Sequence, residues 1–307
     1  MPYLLLLVLA LVWAQEPATF RSGVTLVHVD AEVLQGNRPV ADLDKNSFRI
    51  TDAGKSQTIL YFGHEEEPLD VALLLDDRPE MRPVIQQVAD AAHSTLGELR
   101  KEDRLAVMTF GAMDGRCRAD VITNLTTDHD GPERTIATQV LKGEPYPANL
   151  NCGVHAGLVG ASALFRREPE ARRRRAIIIL TDDKGTSLKP AAVRNTLHEL
   201  WQADAVVLGV IVRSGAVAFS IGPPYRGVRY FASQTGGDAL DTKEPAPGVQ
   251  QMLNRLRSRY SLYYALPQGK AGEERKIEVQ LASDAAKRYP RAVVRARTGY
   301  VMPGGSN

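Results

Sequence analysis

Two cysteines, Cys117 and Cys152, are all that 307 residues contain. That is too few, and too widely spaced, for a zinc site built on clustered thiolates. Net charge is only +2, with the basic residues scattered along the chain, which argues against a nucleic-acid footprint. Beyond the first residues no apolar segment is long enough to cross a bilayer, so an integral membrane protein is not expected. Also missing are a Gly-x-Ser-x-Gly elbow, a Walker loop and a His-Glu-x-x-His pair, which leaves catalysis as the weaker reading. What is present is globular: 44% hydrophobic and 24% charged residues support a sizeable core. The length suits one full domain with a smaller companion.

The first residues read MPYLLLLVLALVWAQEP. The apolar stretch from Leu4 to Val12, with Val12 and Ala14 at the two positions a signal peptidase reads, predicts a signal peptide over residues 1–14, although no Lys or Arg precedes it. The mature protein is then expected to be exported, secreted or periplasmic.

Two segments dominate the middle of the chain: DVALLLD, ending at Asp76, and AIIILTD, ending at Asp182. Continuous aliphatic runs of this length suit strands buried on both faces of a parallel sheet. Ligands of open α/β sheets sit outside the carboxyl ends of the strands. Two carboxylates brought together there either share a cation or repel each other. From Leu69 onward strands alternate with helical patterns, around 83–100, 133–141, 153–165 and 190–202, which predicts a doubly wound α/β sheet. Outside it the patterning is β-type. GVTLVHVDAEVL alternates Val27, Val29, Ala31 and Val33 against His28, Asp30 and Glu32, the pattern of a strand with one wet face. FRITDAGKSQTILYF predicts two short strands around a turn at Asp52, Ala53 and Gly54, and YSLYYALP, RKIEVQLA and AVVRARTGY continue the pattern at the other end. One β-sandwich made from both chain ends, with the α/β unit inserted, is the economical arrangement; two separate sheets are the alternative.

The strand-end carboxylates, with FASQTGGDAL further on, resemble the von Willebrand factor type A domain over about residues 68–258. Its first strand normally ends in Asp-x-Ser-x-Ser, and with a loop Thr and a second Asp it forms a metal-ion-dependent adhesion site. The order of segments across nearly the whole mature chain, including Leu43, Phe48, Ile50, Asp52, Gly54, Gln57 and Ile59, is similar to exported type A-related proteins of acidobacteria. The resemblance implies a signal peptide at 1–14, N-terminal sandwich strands at 15–67, the type A domain at 68–258 and C-terminal sandwich strands at 259–303. It also places the adhesion-site positions at Asp76, Arg78, Glu80, Asn149 and Asp182, with the Thr position falling on Ala148 or Asn149. Three of five oxygen donors are changed, and one replacement is a guanidinium that offers only donors. Arg78 is therefore expected to stand where the metal would be, with no cofactor. The alternative is a Mg²⁺ or Mn²⁺ site using Asp76, Glu80 and Asp182. A solvated turn would account for Arg78 and Glu80 without any function.

Cys117 follows strand RLAVMTFG and Cys152 lies in the loop of the missing Thr, so in an oxidising compartment a Cys117–Cys152 disulfide is predicted. The basic run Arg172 to Arg175 reads as a solubilising flank beside a sticky strand. The function these readings imply is non-catalytic recognition of a protein or glycan by rim loops at 76–82, 146–152 and 182–187, with an exposed Arg78 able to meet a partner's acid. An enzyme would need a cluster of Asp76, Asp77, Glu80, Asp182, Asp183 and His155, but His155 opens an apolar helical segment and reads as structural.

Overall fold

The computed structural model describes residues 25–304, apart from 65–66, 91–95, 98, 115, 148–151, 169–171, 186–188 and 213–226. The expected signal peptide and Ala148 and Asn149 lie outside the described residues.

The N-terminal part forms β1 (Leu26–Gln35), β2 (Arg38–Pro39), β3 (Phe48–Asp52), β4 (Lys55–Gln57) and β5 (Tyr61–His64). Asp52 pairs with Lys55 across a two-residue loop, in which Ala53 and Gly54 take φ of 47° and 78°. Positive φ at both central residues is what a tight hairpin requires, because that twist matches the strands it joins.

The middle carries β6 (Leu69–Asp76), α1 (Arg82–Asp90), β7 (Arg104–Met113), β8 (Arg116–Thr126) and α2 (Asp130–Thr135). It continues with α3 (His155–Arg167), β9 (Arg174–Thr181), α4 (Pro190–Gln202), β10 (Ala205–Ile211), α5 (Val228–Thr235), β11 (Asp238–Asp241) and α6 (Pro245–Arg257). The sheet order is β11-β10-β9-β6-β7-β8, parallel throughout except for the antiparallel β7–β8 pair. Leu69, Val71, Leu73 and Leu75 of β6 face α1 and α6, while Ala72 and Leu74 face α3, α4 and α5. Helices on both faces explain why β6 and β9 are aliphatic at successive positions rather than at alternate ones. The turn after α5 needs its two glycines. Gly236 has φ of 81°, and a Cβ on Gly237 would sit 1.8 Å from the Val207 carbonyl oxygen.

The chain closes with β12 (Tyr260–Ala265), β13 (Glu274–Leu281), α7 (Ser283–Arg288), β14 (Ala292–Ala296) and β15 (Gly299–Val301). One antiparallel sheet has the order β14-β1-β12-β5 with β2 paired to β1, and a second has the order β15-β13-β3-β4. Both are therefore built from strands of the two chain ends. They share one hydrophobic cluster, in which Val29, Ile50, Tyr260, Leu262 and Ile277 are almost fully buried. Among the described residues no helix is long and apolar enough to cross a membrane.

Two sequence expectations are corrected here. The polar face of β1 is not wet: Asp30 and Glu32 are buried. Arg255 of α6 holds Glu32 with two bonds of 2.7 Å. Asp30 is met by Arg259 at 3.0 Å and by Arg174 at 3.2 Å. Nor is the run at 172–175 a solubilising flank. Arg174 is 1% exposed and donates to the carbonyls of Leu256 and Arg259, while Arg173 pairs with the buried Asp70 at 2.5 Å. The α/β unit and the antiparallel sheet thus meet through charges. Alternation identifies two faces of a strand but not what covers the polar one.

Candidate functional site

In the strand order, β6 continues to β7 on one side and β9 to β10 on the other, so the chain reverses direction between β6 and β9. That switch point is where the strand ends leave a crevice. Asp76 ends β6 and Asp182 directly follows β9, which is why residues 106 positions apart come together.

Arg78 lies between them. Pro79 follows it, and a residue before proline is pushed into extended backbone; Arg78 has φ −80° and ψ 155° and leads into a tight turn over Pro79–Met81. Its guanidinium folds back onto the strand ends. Nε donates to Asp76 Oδ1 at 2.8 Å, and Nη2 donates to Asp76 Oδ2 at 2.6 Å and to Asp182 Oδ1 at 2.5 Å. Nη1 reaches Glu80 Oε1 at 3.1 Å. Arg78 is 4% exposed, which corrects the expectation of an outward cation available to a partner's acid. The carboxylate facing outward at this point is Glu80, whose side chain is 36% exposed.

Two further residues complete the cluster and were not singled out from sequence. Thr181 Oγ1 donates to Asp76 Oδ2 at 2.6 Å, and Lys184 Nζ sits 3.2 Å from Asp182 Oδ2. Their only sequence signal is position, one residue before and two after Asp182. Burial pushes the Asp76 carboxyl above its ordinary value, against the opposing bonds from Arg78 and Thr181. Arg78 stays charged, because its bonds to Asp76 and the charges of Asp76 and Asp182 outweigh the cost of burying it.

Tested as a Mg²⁺ site, the cluster does not fit. Mg²⁺ asks for near-octahedral oxygen ligands at about 2.0–2.1 Å and keeps several waters. Both Asp76 oxygens and Asp182 Oδ1 already accept from Arg78, and Asp182 Oδ2 faces Lys184. The cavity lined by Asp76, Arg78, Phe110, Cys152 and Lys184 is about 10 Å³, room for about one water. Among the described residues no group of three or more His, Cys, Asp or Glu side chains is placed to hold a metal ion.

The other carboxylates of the crevice are used structurally. Asp77 pairs with Arg82 at 2.7 Å, and its backbone joins Phe110 and Tyr146. Asp183 accepts the Val228 amide at 2.8 Å from a backbone φ of 54°. Burial raises both carboxyls to about 6. His155 is buried, with Nδ1 at 3.4 Å from Thr196 Oγ1 and its ring edge-on to Phe231. Burial lowers it to about 4, so it stays neutral at pH 7 and serves packing.

The rim is stapled as expected. Cys117 and Cys152 form a disulfide with Cα atoms 5.1 Å apart. Nearby, the Tyr146 ring lies so close over Gly111 that a Cβ there would be 2.4 Å from it. The Tyr146 hydroxyl donates to Asp120, and burial together with that bond raises it to about 12.

No family model matches the chain, and no curated protein matches it. Among solved structures it is similar to proximal thread matrix protein 1 of the mussel byssus, at 13% identity and TM-score 0.46, over 62% of this chain and 48% of that one. It is also similar to an aerotolerance-related membrane protein from Bacteroides fragilis, at 14% identity and TM-score 0.42, over 61% of this chain and 99% of that one. The human COPII-coat protein Sec24c follows at 7% identity and TM-score 0.43, over 77% of this chain and 44% of that one. The chain thus spans about half the length of the mussel protein.

Proposed function

We propose that residues 68–258 form a doubly wound, Rossmann-like domain of the von Willebrand factor A type, inserted in a β-sandwich made from the two chain ends, in an exported protein. Its function is non-catalytic binding of a protein or glycan by the loops at the carboxyl ends of the strands, without a metal ion. The observation that carries this reading is the Arg78 guanidinium bonded to both Asp76 and Asp182. A cation fixed in the chain neutralises the two carboxylates that an adhesion-type site leaves for a metal, and the disulfide braces the neighbouring loop. Because Arg78 is buried, the group presented to a partner is the Glu80 carboxylate, which favours a partner with a basic group at the point of contact.

The test is retention of labelled full-length, oxidised protein on arrays of glycans and extracellular proteins, with and without EDTA, beside Glu80→Arg. Retention that EDTA leaves unchanged and Glu80→Arg abolishes supports the proposal. Retention that requires a divalent cation, or none on any surface, contradicts it.

A further inference from the structure

The sheet of the α/β unit ends in β8, which pairs with β7 on one side and, among the described residues, with no strand on the other. β8 is 11 residues long, the longest of the described strands, yet none of its residues is buried. Its two faces are covered. Ala119 and Leu125 pack into the cluster under α3, and Ile122 packs into the cluster on the side of α1 and α6. Gly160 of α3 lets Ala119 come close, since a Cβ on that glycine would lie 2.6 Å from the alanine. What stays open is the edge, a row of backbone donors and acceptors of the kind that takes up another strand.

Edges are ordinarily blunted by shortness, proline, lysine or bulges. β8 contains neither proline nor lysine. Its irregularities are confined to one end: the pairing with β7 shifts register between Thr126 and Val121, whereas Arg116 to Val121 face Met113 to Met108 one for one. That regular half keeps an unbroken edge, with Met113 and Val121 exposed at its two limits. Arg118 and Asp120 share one face of it, bonded to each other at 2.5 Å, with side chains 47% and 31% exposed.

The order of these charges decides which strand the edge accepts. Two copies related by a two-fold axis normal to the sheet pair antiparallel, with residues equidistant from the axis opposite one another. An axis at Cys117, Arg118 or Asp120 sets like charges directly opposite each other, which destabilises a strand pair. An axis at Ala119 sets Arg118 against the partner's Asp120, twice by symmetry, and Cys117 against the partner's Val121. The edge is thus complementary to itself in one register, and that register lies wholly within the regular half.

We infer that β8 pairs with β8 of a second copy of this chain, antiparallel and centred on Ala119, joining two six-stranded sheets into one. The contact is small, so the association is weak and reversible. A strand lacking this order of charges gains the backbone bonds but not the two cross-strand ion pairs.

Sedimentation velocity on the full-length, oxidised protein, over a concentration series reaching the sub-millimolar range, is expected to show a monomer–dimer equilibrium. Arg118→Asp places two acids opposite each other across the axis, and Asp120→Arg places two bases there, so each variant alone is expected to self-associate at least about tenfold more weakly. When the two variants are mixed, one of them dye-labelled, opposite charges meet again and a mixed dimer of the parent's strength is expected. Should either variant fail to fold by circular dichroism, Arg118→Asp/Asp120→Arg in one chain, which keeps the ion pair within its own strand, is expected to dimerise with itself and not with the parent. The inference is overturned if the parent stays monomeric throughout, if the folded single variants dimerise as the parent does, if their mixture forms no mixed dimer, or if the double variant pairs with the parent as readily as with itself.

Discussion

Arg78 Nη2 lies 2.5 Å from an oxygen of Asp182, a residue 104 positions further along the chain. The same nitrogen holds Asp76 at 2.6 Å. One guanidinium therefore joins the ends of two neighbouring parallel strands at the point where the strand order reverses.

Arg78→Ala leaves two adjacent buried carboxylates without their cation. Removing one partner of a buried pair costs about 3–5 kcal/mol, and that loss is expected in urea unfolding at pH 7. Arg78→Lys is expected to recover only part of it, since an ammonium cannot pair bidentately. Burial already raises the Asp76 carboxyl in the parent, and Arg78→Ala removes the Arg78 bonds and charge that oppose that rise, so the Asp76 penalty is absent below its unfolded pKa and grows as pH rises. The deficit against the parent is therefore expected to shrink toward pH 4.

Asp183 offers a substitution of opposite sign. Burial raises its carboxyl from 3.8 to about 6, against the opposing Val228 amide bond. A raised folded-state pKa means that its contribution is fully present below about pH 3.8 and lost as pH rises through about 6. Asp183→Asn keeps an oxygen for the Val228 amide and tolerates the left-handed backbone. The variant is expected to exceed the parent by about 1–3 kcal/mol at pH 7.5 and to match it at pH 4. An equal difference at both pH values in urea melts would contradict this.

Arg174 couples the two units. It meets Asp30 of β1 and Ser261 of β12 and caps the carbonyls of Leu256 and Arg259. Arg174→Leu leaves these acceptors buried, at a cost of about 3–5 kcal/mol. Scanning calorimetry is expected to show one transition in the parent and two in the variant, as the α/β unit and the antiparallel sheets lose their shared network.

The disulfide closes a loop of 35 residues, which corresponds to about 3–4 kcal/mol by the chain-entropy relation. Denaturation of the oxidised protein and of Cys117→Ser/Cys152→Ser is expected to differ by that order. A difference near zero would mean that the rim is held by its packing alone.

The strands at 71–75 and 176–180 were legible because only a sheet covered on both faces places aliphatic residues at successive positions. The meeting of Asp76 and Asp182 followed from their place at the ends of those strands. Asp30, Glu32 and Arg174 depart from the sequence expectation for a common reason. A polar residue on an alternating strand, or in a basic run, has the same sequence signature whether water or an opposite charge covers it. Here the partners lie more than 140 residues away. The charge of Arg78 is legible in the sequence but its burial is not, since sequence gives the charge of a side chain and not its direction. Pro79 was the available signal, because it sets the backbone that turns Arg78 inward.

Calorimetric titration of the oxidised full-length protein with Mg²⁺, Mn²⁺ and Ca²⁺, beside Arg78→Ser/Glu80→Ser, tests the central claim most directly. With Arg78 in the place of the ion, the native protein gives no binding heat and the double variant, now offering hydroxyls to the two carboxylates, gains affinity. Binding by the native protein at micromolar strength would contradict the account and make Glu80 a ligand of a cation-dependent site.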